Sequence, residues 1–296
     1  MTNHNLLKGV FALLMGFMVS CDNTTDDPIN NAKNNPNNPG NSGGTTIITG
    51  PRILNKITVS GVTNQEFVTT GTTLEKAIFR DAGTANSFLV GKVTYTSGQI
   101  TKVKYQQEVN GTIPSNAMLY EFDLTYDSNG KINYTTCHRM LGSVQSFDSE
   151  YTYVYDGAGK MTQILEKKKM AGSYTHFTNN IITNTGDNMT KIETVSGVTS
   201  STGVPDMSTT ITVTYEFTGY DSKINPYTTL PRSFFVTWGL LHPQNLSALS
   251  TNNVTSFNVI NQGPTPISGS YTYLYDSQNY PVSDQSQTQM YVYKAL

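Results

Sequence analysis

Alternation of two side-chain classes, interrupted by short polar reversals, runs through the chain from about residue 53 onward. Its clearest instance is residues 151–164. Tyr151, Tyr153 and Tyr155 alternate with Thr152 and Val154, Asp156-Gly157-Ala158-Gly159 reverses the chain, and Met161 and Ile164 lie in the run that leaves. A period of two sends successive side chains to opposite faces of a strand, so the stretch predicts one β-hairpin. Further copies occupy residues 93–103, 124–133 and, more faintly, 182–192. The first apolar residues after the four turns are Ile100, Ile132, Met161 and Met189. Their spacing of roughly thirty residues is the length of two strands and two turns. Sequential hairpins of this kind predict an antiparallel meander.

Shorter strands are expected at residues 53–59 and 66–70, while residues 73–80 fit strand or helix. Two later copies end in proline: residues 213–217 run into Pro226, and Tyr271, Tyr273 and Tyr275 run into a turn followed by Pro281. Pro226 cannot donate to a ladder and so ends the first of these hairpins. Residues 289–293 supply a last strand that could pair with the sheet or complete a barrel. One stretch has a helical period, with Leu230, Phe234, Trp238 and Leu241 on one face, Pro231 at a first helical position and Pro243 as the stop. The expected fold is all-β: an antiparallel meander closing into a barrel or half-barrel, with one short capping helix. That helix reads as a plug at the end of the sheet, or else as a lid over a ligand pocket.

The Asp, Asn and Gly of the turns have a local reason to be there. Asx side chains close turns on their own backbone and Gly supplies positive φ. Calcium binding at Asp127-Ser128-Asn129-Gly130 is the sharper alternative, without the acidic series and closing Glu of a calcium loop. Tyr151, Tyr153 and Tyr155 share one strand face, as do Tyr271, Tyr273 and Tyr275. A tyrosine ladder that stabilises the sheet explains them. Buried phenols also need partners, so the same face, with Trp238 on the helix, could line a wet cavity for a glycan or a lipid. A transmembrane barrel needs one continuously apolar face. Lys102, Lys104, Gln106 and Glu108 share a face, and Glu166 precedes Lys167-Lys168-Lys169; these strands are built for water.

The front of the chain differs in kind. Lys8 precedes an apolar block over residues 9–20, too short to cross a bilayer core of ~30 Å, and it reads as a signal peptide. Met18-Val19-Ser20-Cys21 resembles the cleavage box of bacterial lipoproteins, in which the Cys thiol takes a diacylglyceryl group and becomes the mature N-terminus. Residues 22–50 are rich in Asn, Pro, Gly, Thr and Asp and lack the apolar content to offset ordering entropy. As a flexible tether they would hold the folded part on the order of 30 Å from the membrane. The expected organisation is a signal peptide at 1–20, lipidated Cys21 with a disordered tether to residue 50, and one antiparallel β domain over 51–296. The expected location is the outer membrane, at the cell surface or the periplasmic face, with the bilayer as partner through the anchor.

The Tyr-Asp-x-x-Gly turns, residues 220–227 (Tyr-Asp-Ser-Lys-Ile-Asn-Pro-Tyr), Asn252-Asn253-Val254-Thr255 and the lipoprotein front end together resemble a family of Bacteroidota lipoproteins of unknown function. That family is described as having a porin-like antiparallel β-barrel fold. The resemblance covers residues 53–296 and implies a barrel or half-barrel but no activity. The hairpins are also similar to the tyrosine-aspartate repeats of shell-forming toxin proteins. Those have a shorter period and usually Arg-Leu after the Gly, where this chain has Lys131-Ile132 and Lys160-Met161, so the shell architecture is not carried over.

Composition narrows the chemistry. Charged residues make up only 14% of the 296, while Tyr numbers 18, so solubility rests on hydroxyls and amides. A net charge of −2 with scattered Lys and Arg leaves no basic stripe for nucleic acid. Cys137 reads as a small buried hydrophobe. His4, His138, His176 and His242 are isolated, and no zinc, P-loop, dinucleotide or nucleophile-elbow motif is present, so no cofactor, metal or catalytic residue is assigned. The reading favoured is a binding or envelope accessory module for an amphipathic or carbohydrate ligand, rather than an enzyme. A carbohydrate-active hydrolase, whose two carboxylates need no proximity in sequence, and a structural or partner-binding scaffold are the alternatives.

Overall fold

The computed structural model describes residue 48 and residues 50–296 apart from 82, 262 and 264. The signal segment, Cys21 and nearly all of the tether lie outside the described residues. Among the described residues the sheet strands are β1 (Arg52–Val59), β2 (Val62–Thr70), β3 (Thr73–Arg80), β4 (Ser87–Thr96), β5 (Gln99–Val109), β6 (Met118–Tyr126) and β7 (Ile132–Leu141). They continue with β8 (Val144–Tyr155), β9 (Met161–Met170), β10 (Ser173–Thr185), β11 (Asn188–Val198), β12 (Ile211–Tyr220) and β13 (Val254–Ile260). The last are β14 (Ile267–Ser270), β15 (Tyr273–Tyr275), β16 (Pro281–Asp284) and β17 (Gln289–Ala295). Residues 73–80, which fitted strand or helix, are a strand.

Every ladder is antiparallel and joins neighbours in sequence, from β1–β2 through β13–β14 and from β15 through β17. β17 then pairs with β1, with Arg52 opposite Ala295 and Val59 opposite Gln289. The ring of ladders is broken only between β14 and β15, which are successive pieces of one extended run. There the Tyr271 N–H donates to Thr255 O (2.8 Å), and Thr272 O accepts from the Gln285 N–H (2.8 Å). The run thus leans on β13 with one half and on β16 with the other. The result is the expected barrel-like meander.

The turns that carry Asp127, Asp156 and Asp276 fall at one end of the barrel, here the turn end. Asp127 Oδ1 accepts from the backbone N–H of Asn129 (2.8 Å) and Lys131 (2.9 Å), and Asp156 and Asp276 do the same in their turns. This is the Asx closure the sequence calls for. At this end a turn joins only every second pair of strands, and the seams between hairpins are free to splay.

Seven of these seams carry the same device. A side chain near the end of the outgoing strand donates to the carbonyl of the first or second residue of the preceding return strand. Tyr95 donates to Leu74 O (3.1 Å), Tyr126 to Ile100 O (2.6 Å) and Tyr155 to Ile132 O (2.8 Å). Asn184 Nδ2 donates to Met161 O (2.9 Å) and Tyr220 to Met189 O. Tyr273 donates to Val254 O (2.9 Å) and Tyr293 to Pro281 O (3.0 Å). In the faintest repeat the Tyr is absent from the sequence, and the Asn184 amide stands in for it. The β17–β1 seam is closed differently. Buried Arg52 reaches Asp276 and Gln278 of the β15–β16 turn and lies 4.4 Å from the Tyr280 ring centroid.

The connection between β12 and β13 folds inward. It contains a 3-10 turn (Pro226–Thr229), the helix α1 (Arg232–Leu241) and a second 3-10 stretch (Pro243–Leu249). Pro231 occupies the N-cap position of α1 and Pro243 follows its C-cap. The sequence predicts one apolar stripe, but Phe235, Val236, Thr237 and Gly239 are buried as well as Phe234. A helix apolar on all sides belongs in a core, and α1 is the centre of this one. Phe79 stacks on Trp238 (4.9 Å, 13°), Phe67 meets Phe235 (6.2 Å), and the Tyr105 hydroxyl pairs with Thr237 (3.0 Å). Gly91 is required here, since a Cβ would sit 2.7 Å from the Tyr105 ring. Burying each large apolar side chain of this plug contributes ~1.5–3 kcal/mol.

The outer wall carries polar and charged side chains. Thr152 and Val154 are exposed while Tyr151 is buried behind them. Lys102 bridges Glu121 and Asp123, Lys169 meets Glu150, and Lys191 meets Glu193 (3.0 Å). Such pairs rule out an apolar lipid-facing band on these strands. Cys137 is buried, and desolvation pushes its thiol pKa up, as suits an inert core residue.

Two predictions follow from the seams. Tyr126→Phe and Tyr155→Phe should each lower unfolding stability by ~1 kcal/mol, because each leaves a carbonyl without its donor; denaturant melts without any shift would show the latches to be idle. Burial, with the Asp127 charge adding to it, pushes Tyr155 up to about 12, and burial does the same to Tyr220. Unfolded tyrosines ionise near pH 10, so this stability is intact below about pH 10 and falls as the pH climbs through about 12. Tyrosinate absorbance and loss of circular dichroism should therefore rise together on alkaline titration. Ionisation of most tyrosines near pH 10 with the fold retained would contradict this.

Candidate functional site

Plug and wall do not meet everywhere, and two of the spaces left among the described residues bear on function. One, of about 240 Å³, runs between the plug and the wall made by β12, β13, β15, β17 and β2. Its lining comes from the whole length of the domain: Asn64 and Gln65 of β2, Tyr215 and Phe217 of β12, Tyr227, Gln244 and Asn245 of the plug, Phe257 and Asn258 of β13, Tyr271, Tyr273, Gln289 and Tyr291.

The aromatic residues form a continuous surface. Phe257 stacks on Tyr271 (5.6 Å, 22°), Tyr271 on Tyr273 (6.2 Å, 29°), and Tyr273 meets Tyr291 edge-on (6.3 Å, 61°). The period of two that places Tyr271 and Tyr273 on one face creates the first half of this stack. Gly269 makes room for the rest, since a Cβ there would lie 2.4 Å from the Phe257 ring. The phenols are held by the frame: Tyr273 by its latch to Val254 O, Tyr227 by donation to Gln65 Oε1 (2.9 Å), and Tyr291 by the Gln289 amide. Burial raises the pKa of Tyr215, Tyr227, Tyr271, Tyr273 and Tyr291. They stay protonated at neutral pH, able both to donate and to accept.

Among the described residues no carboxylate, Lys, Arg, His or Cys lines this cleft. It offers flat apolar faces beside neutral amides and hydroxyls, and no general acid, base or nucleophile. Among the described residues no group of three or more His, Cys, Asp or Glu is placed to hold a metal.

The second space, about 730 Å³, lies at the turn end. Its walls include Tyr95, Tyr126 and Tyr155, the turn residues Lys131 and Lys160, and Arg232 and Ser233 at the start of α1.

The residues singled out from the sequence therefore part company. Tyr271 and Tyr273 line the aromatic cleft, and Tyr155 lines the turn-end cavity. Tyr151 donates to Glu166 Oε1 (3.1 Å), Tyr153 to Thr135 Oγ1 (2.9 Å) and Tyr275 to Asp221, while Trp238 is stacked on Phe79. The sequence reading did not single out Asn64, Gln65, Tyr227, Gln244, Phe257 or Tyr291. Tyr291 had a signal, an alternating run shared with Tyr293. The amides had none.

No family profile matches the chain, and no curated protein does. Among solved structures it is similar to a porin-like protein from Bacteroides vulgatus ATCC 8482, at 14% identity and a TM-score of 0.45, over 82% of this chain and 97% of that one. It is also similar to a porin-like protein from Bacteroides uniformis ATCC 8492, at 13% identity and a TM-score of 0.40, over 83% of this chain and 99% of that one.

Proposed function

We propose that this chain is a membrane-anchored envelope binding module whose aromatic cleft takes a neutral carbohydrate. The observation that carries the reading is the pairing of a stacked Phe257–Tyr271–Tyr273 surface with Asn and Gln side chains and no charged group. A sugar ring has one face of C–H groups that lies flat against an aromatic ring and an edge of hydroxyls that each donate and accept. Amides match that edge, because each offers both a donor and an acceptor. The volume, below the ~300–1,000 Å³ of drug-sized pockets, suits one ring better than an extended chain. The absence of carboxylates from the lining weighs against hydrolysis in this cleft, since a glycosidase needs two.

Anchoring rests on the front end: the apolar block, the Met18-Val19-Ser20-Cys21 box and the polar tether. Acyl chains contribute ~0.8 kcal/mol per buried methylene, so more than one chain on Cys21 suffices for stable attachment. The wall, polar outside, then stands in water beside the bilayer.

Isothermal titration of a panel of neutral mono- and disaccharides should find a binder whose affinity drops tenfold or more in Tyr271→Ala, while Arg232→Gln leaves it unchanged; equal affinity in Tyr271→Ala would refute the cleft as the site. Expressed in a bacterium that processes lipoproteins, the wild-type chain should fractionate with membranes and Cys21→Ser should be released. Continued membrane association of Cys21→Ser would remove the anchor from the account.

A further inference from the structure

The turn-end cavity has a different chemistry. Its cations are Lys131, Lys160 and Arg232, and its one carboxylate is Asp187. Lys160 is paired with Asp187 at 3.1 Å. Lys131 lies 5.2 Å from the Tyr155 ring centroid and forms no ion pair among the described residues. Among the described residues Arg232 forms no ion pair either, and its Nη1 donates to Leu249 O (3.1 Å). Arg232 is exposed at the start of α1, with its guanidinium at the edge of the cavity. Desolvation draws its pKa down, with Tyr155 and Asp187 opposing. Two unpaired cations thus face one space in a protein whose net charge is −2.

A fixed guanidinium and an ammonium across a shared space match the oxygens of a carboxylate or phosphate. The remaining lining is apolar or phenolic, with Ile100, Met161 and Val236 among it. The latches matter here, because the hydroxyls of Tyr95, Tyr126 and Tyr155 are committed to carbonyls and leave their rings to form the wall. We propose that the turn-end cavity is a second binding site, for a small organic anion whose carboxylate or phosphate lies between Arg232 and Lys131 and whose body rests on the tyrosine rings. It is independent of the aromatic cleft and of the neutral ligand proposed there. Two sources share the required chemistry, a free sugar acid and a lipid headgroup.

The test titrates the full chain with glucuronate, glycerol phosphate and glucose. At least one of the two anions should bind and weaken as salt is raised, and glucose should not compete with it. Arg232→Gln should lower the affinity tenfold or more and Lys131→Gln several-fold, while Tyr271→Ala leaves it unchanged. Tighter binding of glucuronate assigns a sugar acid, and tighter binding of glycerol phosphate assigns a headgroup. Should Arg232→Gln fail to fold, exposed-turn Lys131→Glu carries the same expectation of lost anion binding. Failure of both anions to bind, or affinity unmoved by Arg232→Gln and Lys131→Glu, overturns the proposal without touching the neutral-sugar cleft.

Discussion

The barrel is held in register at its turn end by a hydroxyl given to a carbonyl, repeated seam after seam. Backbone ladders fix strands along their length, but at the end where two hairpins merely lie side by side nothing covalent keeps the last residues together. A phenol is long enough to cross from one strand to its neighbour and rigid enough to do so with little entropy lost. Each bond is modest, on the order of 1 kcal/mol, yet seven in a ring define the rim into which the plug enters. They also explain why the repeat carries Tyr directly before Asp at Tyr126-Asp127, Tyr155-Asp156 and Tyr220-Asp221. One residue latches the seam and the next closes or opens the turn.

The interior depends on the same rim. An antiparallel ring this wide leaves more space than inward side chains can fill, and the roughly 36 Å that α1 and its flanking 3-10 stretches would span as regular helix are folded into that space. Aromatic contacts from Phe67, Phe79 and Tyr105 reach the plug from one side of the ring. The opposite wall, where the β14–β15 run interrupts its ladder, stands further off and lines the aromatic cleft. Void and filling are thus set by which strands bring Phe inward and which bring Tyr, Asn and Gln.

Much of this was legible in the sequence. The period of two and the Asp-Gly reversals define the hairpins from residue 87 to 198, and Tyr151, Tyr153 and Tyr155 do share the inward face. The last strand does pair with the sheet, through β1. The helix was visible, but its place was not: a stripe of Leu230, Phe234, Trp238 and Leu241 describes a cap over one surface, whereas burial of Phe235 and Val236 shows contact on the other side too. The cleft was half visible through Tyr271 and Tyr273. Its amides were not, because Asn64 and Gln289 are 225 residues apart and only ring closure brings them together. Arg232 gave no signal at all, since a single cation at a helix start has meaning only once the turns carrying Lys131 and Asp187 are arranged around it.

Joining the first strand to the last has a kinetic side. β1 can dock on β2 as soon as both exist, but its other edge stays open until residues 289–295 have been made. Closure of so long a loop is slow to be rewarded, and an unpaired edge in the meantime is a template for any other extended segment. A nascent chain of this kind is therefore most exposed to mispairing in the last moments of its synthesis, and a partner that shields the outer edge of β1 until the C-terminus emerges would raise the yield of correctly sealed molecules.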